Sequence, residues 1–422
     1  MVVEPLRSTA YLGPDKGRWS PATWADVVEA AAGGLIDETQ WVDLKQELPV
    51  GKATVNTDVA KDLASLAVDG GLLIIGVEDH HSHAGKVCGV ELAKLADRVD
   101  QIARDKVLPS LVVRSLEVPD PDRPGHGCLL VHVPPSAQAP HMVDYVYYGR
   151  GDRANIKLSD EQVRGILADR ARTRSDIAAD LRQMVHDDPL PDDERQHSHL
   201  YLLAQPEVAP EEVFVGLLAR NNAVTIINEL LDEIARTSNW PSFDPRLQQL
   251  PWRSPRAEGH AFTTVSGGDR IYEPGMLDLL VREDGGIRLI CGRGTDFGPG
   301  PRFADTPPPR ALIAVVALGL TQAFAALAGR LADQYAAYQG QWRLGIRIDR
   351  LRGVVPMDKL ASPGNPPGHP YTRDEYERVT SASTEELVNA PHAITERLLA
   401  PLLRGLGIAP QYLPLNPGQA GS

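Results

Sequence analysis

Residues 67–79, AVDGGLLIIGVED, decide the fold of the first part of the chain. The segment Leu72–Val77 is a continuous apolar run, which is typical of a strand buried on both faces. A helix capped by Thr57 and Asp58 and ended by the glycine pair precedes this run. Another strand pattern, ETQWVDLKQEL at residues 38–48, lies before the helix. The order strand, helix, strand predicts a sheet with a helix packed against it.

The segment at residues 38–48 alternates between apolar and polar side chains, as a half-buried strand requires. Its apolar face carries Val42, Leu44 and Leu48, and its other face carries Trp41, Asp43, Lys45 and Glu47. We therefore expect Asp43 and Lys45 to point away from the core of the sheet.

Length and composition limit the range of structures and functions. A chain of 422 residues exceeds what one core usually serves, and 23% charged residues is ordinary for a globular protein. The net charge of −13 excludes a protein that coats nucleic acid through its overall charge, so nucleic-acid binding would need a local basic patch. Three widely spaced cysteines exclude a disulfide scaffold and favour the cytoplasm.

The pattern of elements predicts an α+β protein with two domains. We expect an N-terminal tail at residues 1–19, a first domain at 20–175, and a helix end with an acidic, proline-bearing linker at 176–195. Residues 196–422 form a second α+β domain of unknown role.

One segment, Ala311–Gly329, approaches the length of a membrane span. It is rich in alanine and glycine, contains Thr321 and Gln322, and continues into a polar sequence. We interpret it as a buried core helix and expect no membrane association.

Several sequence patterns argue against particular sites. The chain has no GxxxxGK[ST] motif, so it is not expected to be a P-loop ATPase. The histidines at residues 80–83 and 197–199 lack the spacing of a metal site, and we interpret both groups as solvated loops.

The charged residues around the first two strands could do chemistry. Glu38, Asp43 and a carboxylate at Glu78 or Asp79 could hold a divalent cation, and Lys45 could stabilise a phosphate. Periodicity alone favours the simpler interpretation of a solvated strand face.

Four motifs in order resemble the Schlafen AlbA-like domain of bacterial type, formerly catalogued as a divergent AAA domain. They are ETQWVDLKQEL, then AVDGGLLIIGVED, then VPPSAQAPH, then YYGRGDRANIKLSDEQVRGI, and the resemblance covers about residues 20–175. The positions that match the family pattern are Glu38, Lys45, Gly70, Gly71, Gly76, Asp79, Pro140, His141, Tyr148 and Arg150.

The resemblance implies an activity and a set of site residues. Animal Schlafen proteins with this domain are RNA endonucleases that use three carboxylates and a divalent metal. Carried over, Glu38, Asp43 and Asp79 (or Glu78) would be the catalytic carboxylates and the ligands of Mg²⁺ or Mn²⁺, with Lys45 as the phosphate partner. The family usually has glutamate where this chain has Asp43, which bears on catalysis rather than on fold. Many bacterial relatives are described as DNA-binding.

The strand VDYVYYGRGDR and the residues after it form the candidate nucleic-acid-binding segment. Arg150, Arg153 and Lys157 could contact phosphates, and Tyr148 or its neighbour Tyr147 could stack on a base. The alternative is a hairpin with core-facing tyrosines and solvated arginines, and alternation requires one tyrosine to point inward.

Three functional hypotheses follow. The first is a nucleic-acid-binding protein, with DNA and RNA not distinguished. The second is a metal-dependent RNA endonuclease using Glu38, Asp43 and Asp79. The third is a non-catalytic interaction or assembly protein, with a homo-oligomer as one form it could take.

Overall fold

The structure, a computed structural model, describes most of the chain. The described residues are 10–13, 16, 18–19, 21–49, 53–173, 176–209, 213–238, 240, 243–248, 250–265, 270–298, 308–336, 338, 340–360 and 369–415.

The first domain contains helices and strands in mixed order, and the expected α+β class is confirmed. Its helices are α1 (Trp24–Ala32), α2 (Ala53–Leu66), α3 (Leu95–Asp105) and α4 (Asp160–Thr173). Its strands are β1 (Ala10–Tyr11), β2 (Arg18–Trp19), β3 (Val42–Lys45), β4 (Gly71–Ile75), β5 (Val77–His80), β6 (His83–Val87), β7 (Val90–Glu91), β8 (Arg114–Pro119), β9 (His126–Val133), β10 (Met142–Val143), β11 (Val146–Arg150) and β12 (Asn155–Lys157).

The two expected strands, β3 and β4, pair in parallel, and β4 pairs antiparallel with β9. Helix α2 connects them, and it begins at Ala53, ahead of the predicted cap at Thr57. Gly71 is needed where β4 starts, because a Cβ there would lie 2.6 Å from the Trp41 carbonyl oxygen. Helix α1 covers one face of the sheet, and α2 and α3 cover the other.

Strand β3 differs from the half-buried strand that alternation predicts. Val42 and Leu44 pack on the α1 side, as expected. Asp43 is nevertheless buried, because its face is the one that α2 covers. The polar residues of this strand therefore lie inside the domain, and the expectation that Asp43 projects into solvent is wrong.

The predicted N-terminal tail also differs from the structure. Its described residues include the short β1–β2 hairpin, and Ala10, Leu12 and Trp19 pack in the core beside α1. The polar turn after β4 is a hairpin of β5 and β6 with a two-residue turn.

The second domain contains a larger sheet covered by helices. Its helices are α5 (Ile177–His186), α6 (Val215–Leu218), α7 (Ala223–Thr237), α8 (Ala314–Leu331), α9 (Met357–Leu360), α10 (Thr384–Asn389), α11 (Pro391–Gly405) and α12 (Ala409–Tyr412). Its strands are β13 (Leu200–Pro206), β14 (Trp252–Arg256), β15 (Gly259–Thr263), β16 (Leu277–Arg282), β17 (Ile287–Cys291), β18 (Thr295–Phe297), β19 (Arg310–Leu312), β20 (Gln341–Ile348), β21 (Val355–Pro356) and β22 (Tyr376–Ser383).

Seven strands of this domain form an antiparallel sheet in the order β14-β15-β16-β17-β13-β20-β22. Helices α7, α8 and α11 share the main core with one face of the sheet. Helix α5 packs on the other face against β13 and β20. An ion pair of 2.6 Å between Arg114 Nη1 and Asp333 Oδ1 joins the two domains.

The Ala-rich helix α8 is buried, as predicted. With the π-type turn after it, Ala314–Ala336 is long and apolar enough to cross a membrane, and 78% of its apolar window is buried inside the protein. A core helix passes the same test of length and composition, so this feature is weak evidence for a membrane span.

The segment predicted as a linker, residues 176–195, belongs to the second domain. It contains α5, whose Ile177, Leu181 and Met184 pack on the large sheet. The side chain of Asp188, in the acidic stretch, is fully buried. The exposed helix α4 precedes this segment and ends at Thr173, close to the predicted end of the first domain at residue 175.

Candidate nucleic-acid interface

Asp43 lies at the centre of a buried group of charged side chains. Its Oδ2 atom is 2.8 Å from the Lys45 ammonium, and its Oδ1 atom is 2.9 Å from Arg150 Nη2. Both oxygens of this carboxylate therefore face a basic side chain, which offsets the cost of burying its charge.

Asp62, on α2, completes the group, and sequence reasoning did not single it out. Its Oδ2 atom is 3.2 Å from the Lys45 ammonium, and its Oδ1 atom accepts a hydrogen bond from Asn155. Burial and the charge of Asp43 raise the pKa of Asp62 to about 7. A signal was present in the sequence, because Asp62 follows Val59 by three residues and so lies on the apolar side of α2.

Arg150 anchors the β11–β12 hairpin to the domain from inside. Its Nε atom donates to the Thr39 carbonyl oxygen at 3.1 Å, and its Nη2 atom donates to that of Val42 at 2.9 Å. Only 2% of its side chain is exposed. Its Nη1 atom donates to Asn155 Oδ1 of β12 at 3.3 Å. This corrects the expectation that Arg150 contacts a phosphate, since each nitrogen of its guanidinium has a partner inside the domain.

Tyr148 is also placed differently from the expectation of a stacking ring. It is buried in the core between the sheet and α2, and the Lys61 ammonium lies 5.9 Å from the centre of its ring. Its neighbour Tyr147 points the other way and is half-buried. Alternation is thus confirmed, and Tyr148 is not available to a base in this arrangement.

Glu38 and Asp79 lie near the group. Glu38 is buried and its Oε1 atom accepts the Leu44 amide at 3.2 Å. Burial, and then the charges of Asp43 and Asp79, raise the pKa of Glu38. Asp79 is exposed, and its Oδ1 atom accepts the Ser82 amide at 2.7 Å in the β5–β6 turn. Of the three predicted carboxylates, Glu38 and Asp43 are thus buried and Asp79 is exposed.

A comparison with protein families identifies the domain that contains these residues. The family described as "Schlafen, AlbA_2" matches residues 38–159. These residues form a Schlafen AlbA_2 domain. The matched range runs from Glu38 to Ser159, the residue just before α4, and so includes the whole buried group. The match indicates a nucleic-acid-related function at the level of the family.

Other comparisons add little. No curated protein matches the chain. The crystal structure of the DIP2311 protein from Corynebacterium diphtheriae aligns at 14% identity over 91% of this chain, with a TM-score of 0.23. The chain spans 62% of that protein's length. A TM-score this low carries no argument about fold or function.

The carboxylates of the Schlafen AlbA_2 domain do not fit a divalent cation as they are arranged. A metal needs carboxylate oxygens that point at a common position. Here Lys45 and Arg150 occupy the two sides of Asp43, and Lys45 also faces Asp62. No group of three potential metal ligands is found among the described residues. Metal binding by Glu38, Asp43 and Asp79 therefore requires Lys45 or Arg150 to move away.

A cavity of about 480 Å³ opens beside the buried group. The residues that line it include Lys45, Asp58, Lys61, Asp62 and Asn155. Lys45 is the more accessible of the two members of the group in this lining, since 31% of its side chain is exposed against 4% for Asp62.

The two remaining predicted binding residues are exposed. Arg153 lies in the β11–β12 turn, and Lys157 ends β12 opposite Tyr148 in the strand register. Within the part of the chain that the structure describes, neither side chain forms an ion pair. Both are therefore available to an external anion.

Proposed function

We propose that the Schlafen AlbA_2 domain binds nucleic acid without cleaving it, through the exposed basic side of the β11–β12 hairpin. The observation that carries this proposal is the contrast within one hairpin between Arg150, which is buried and paired, and Arg153 and Lys157, which are exposed. Exposed basic side chains on a fixed support are what phosphate contacts require.

The buried group supplies that support. Arg150 ties the hairpin to β3 through Asp43 and two backbone carbonyls, and Asn155 ties it to α2 through Asp62. The turn carrying Arg153 is thus held at both of its strands. A rigid base reduces the conformational entropy that Arg153 and Lys157 lose when they bind.

The acidity of the whole chain makes this local patch the more important. With a net charge of −13, long-range attraction to a polyanion is absent, and affinity must come from direct phosphate contacts. Such contacts release counterions, so binding should weaken steeply as salt rises.

The test is a titration of labelled RNA and DNA oligonucleotides by fluorescence anisotropy between 50 and 200 mM salt, chosen as roughly the range over which counterion release is large. The variant Arg153→Glu with Lys157→Glu should lose at least about tenfold in affinity, and the slope of log K against log salt should fall by about 2. The midpoint of thermal unfolding should not change, because both side chains are exposed.

The matched control makes the same charge change in the second domain. Arg352→Glu with Arg373→Glu replaces two exposed arginines there and should leave affinity within about twofold of wild type. If wild type shows no salt-sensitive binding to either nucleic acid at low salt, the proposal is wrong and the assembly hypothesis takes its place.

A further inference from the structure

The tip of the β10–β11 hairpin has an unusual sequence for its backbone. The strands pair Met142 with Tyr147 and Val143 with Val146, which leaves Asp144 and Tyr145 as a two-residue turn. Both turn residues are left-handed, with φ of 50° and 64°. Turns of this type strongly favour asparagine and glycine, so a tyrosine at the second position is disfavoured by the fold itself.

The ring of Tyr145 gains no packing in exchange for this conformation. It is 88% exposed, although the hairpin beneath it is firmly held: Val143 and Tyr148 are buried in the core beside α2. A rigid hairpin therefore presents a bare aromatic ring to solvent. A residue that opposes local backbone preference without contributing to the core points to a role outside the fold.

The β10–β11 hairpin packs against α2, whose Lys61 lines the cavity of about 480 Å³. The Lys61 ammonium lies 5.9 Å from the ring centre of Tyr148, which follows Tyr145 by three residues in the same hairpin. Lys61 lines the cavity, together with Lys45 and Asp62. One hairpin thus carries an exposed ring at its tip and packs, through Tyr148, beside an ammonium that lines the cavity.

We propose that Tyr145 stacks on an unpaired base of a single-stranded nucleic acid whose backbone passes Lys61. An aromatic ring can cover the face of a base only where that face is free, and in a duplex the neighbouring base pairs cover it. Stacking is tolerant of sequence, because every base has a flat face. This proposal rests on the proposed function and adds to it the strandedness of the ligand and a contact residue.

The experiment compares a 15-nucleotide oligothymidylate and a 15-nucleotide oligouridylate with a duplex of about the same length, by fluorescence anisotropy at low salt. The variants are Tyr145→Ala, Tyr145→Phe and Tyr145→Gly. The control is Tyr272→Ala, which removes another exposed tyrosine (73%) in the second domain.

Stacking on one aromatic ring contributes roughly a five- to 150-fold gain in affinity per base. Tyr145→Ala and Tyr145→Gly should lose an amount in this range on the single strands and nothing on the duplex. Tyr145→Phe and Tyr272→Ala should bind like wild type. Tyr145→Gly should not lower the midpoint of thermal unfolding, because glycine suits the left-handed turn.

The outcomes separate this proposal from the one on which it rests. If wild type binds with salt sensitivity but Tyr145→Ala binds single strands equally well, the stacking proposal is wrong and the proposed function stands. An equal loss on the duplex also overturns stacking. If wild type binds none of the three probes, both proposals fail together.

Discussion

Each domain contains a group of three buried carboxylates and two basic side chains, yet the two groups differ in what surrounds them. In the Schlafen AlbA_2 domain the members are Glu38, Asp43, Asp62, Lys45 and Arg150. In the second domain they are Asp188, Glu273, Asp349, Arg195 and His199. The first group opens on a cavity, whereas the second is enclosed.

His199 lies at the centre of the enclosed group. Its Nδ1 atom is 2.8 Å from Asp188 Oδ2, and its Nε2 atom is 3.1 Å from Glu273 Oε1. Both ring nitrogens face a carboxylate oxygen, so the protonated imidazolium, which donates from both, satisfies the geometry best. The expectation that the histidines at 197–199 form a solvated loop is wrong, since both are buried.

The enclosed group holds the start of the second domain in place. Tyr201 donates to Asp188 at 2.9 Å, and Arg195 donates to the carbonyl oxygens of Leu190 at 2.8 Å and Val185 at 3.1 Å. Asp188 and Arg195 both lie within residues 176–195, the segment predicted to be a helix end and an acidic linker. The group thus fastens this stretch to β13 rather than leaving it solvated.

The difference shows that access, and not the set of residues, separates a candidate site from a structural cluster. The side chains of Asp188 and His199 are fully buried, with no surface for a ligand. Lys45 reaches a cavity, and the hairpin that Arg150 anchors carries exposed basic residues. Perturbed pKa values occur in both groups and so do not identify function on their own.

The largest predicted effect tests whether the first group supports the hairpin. Arg150→Met leaves Asp43 buried with one basic partner and two backbone carbonyls without their donor. Removing one member of a buried ion pair costs about 3–5 kcal/mol, which urea unfolding would measure as a lower midpoint for the first domain.

The control for this prediction is three residues away. Arg153→Met changes an exposed side chain and should alter the free energy of unfolding by no more than about 0.5 kcal/mol. Equal costs for the two variants would mean that the buried pairing contributes nothing, and the contrast between Arg150 and Arg153 would be lost.

The sequence predicts the helices and strands better than it predicts what packs against them. The apolar run at Leu72–Val77 and the Ala-rich helix are confirmed because apolar runs and the helical period are local signals. Alternation predicts correctly that Val42 and Leu44 share a face, but Leu48, expected on the same face, packs in the core beside α2. It fails to predict that a helix covers the polar face, because that depends on packing between distant segments.

The candidate site shows the same limit. Glu38, Asp43 and Lys45 are recognised from their pattern, but the pairing of Asp43 with Arg150 joins residues far apart in the chain. The Asn155–Asp62 contact spans 93 residues. A single sequence contains no signal for such pairs, so the burial of Arg150 could not be predicted. Tyr145 was missed because its exposure depends on where the hairpin turns.

The second prediction concerns the enclosed group and its response to pH. Burial alone would lower the pKa of His199, but hydrogen bonds to Asp188 and Glu273 and the charge of Asp349 raise it. A group whose pKa is higher in the folded state than in the unfolded state contributes its full stabilisation of the fold below the unfolded pKa. That pKa is about 6.5 for histidine. That contribution is lost as pH rises through the folded pKa, so the second domain should lose stability above about pH 6.5.

Calorimetric unfolding across this pH range would measure the loss. His199→Gln should cost about 1–3 kcal/mol at the acidic end, by leaving a carboxylate without its donor, and should flatten the pH dependence. His80→Gln, at an exposed position of β5, should keep the wild-type profile. A profile for His199→Gln parallel to that of wild type would show that His199 does not titrate with folding.

The smallest expected effect is that of a divalent cation on wild type. Because Lys45 lies between Asp43 and Asp62, Mn²⁺ should shift the midpoint of unfolding by less than about 1 °C at millimolar concentration. In Lys45→Gln the ammonium between Asp43 and Asp62 is absent and the two carboxylates face each other. Mn²⁺ should therefore raise the free energy of unfolding of this variant by about 1 kcal/mol. Incubation of tRNA with Mn²⁺ completes the test. Cleavage by wild type that disappears in Glu38→Ala would mean that Lys45 yields to a metal after all, and that the domain is a nuclease.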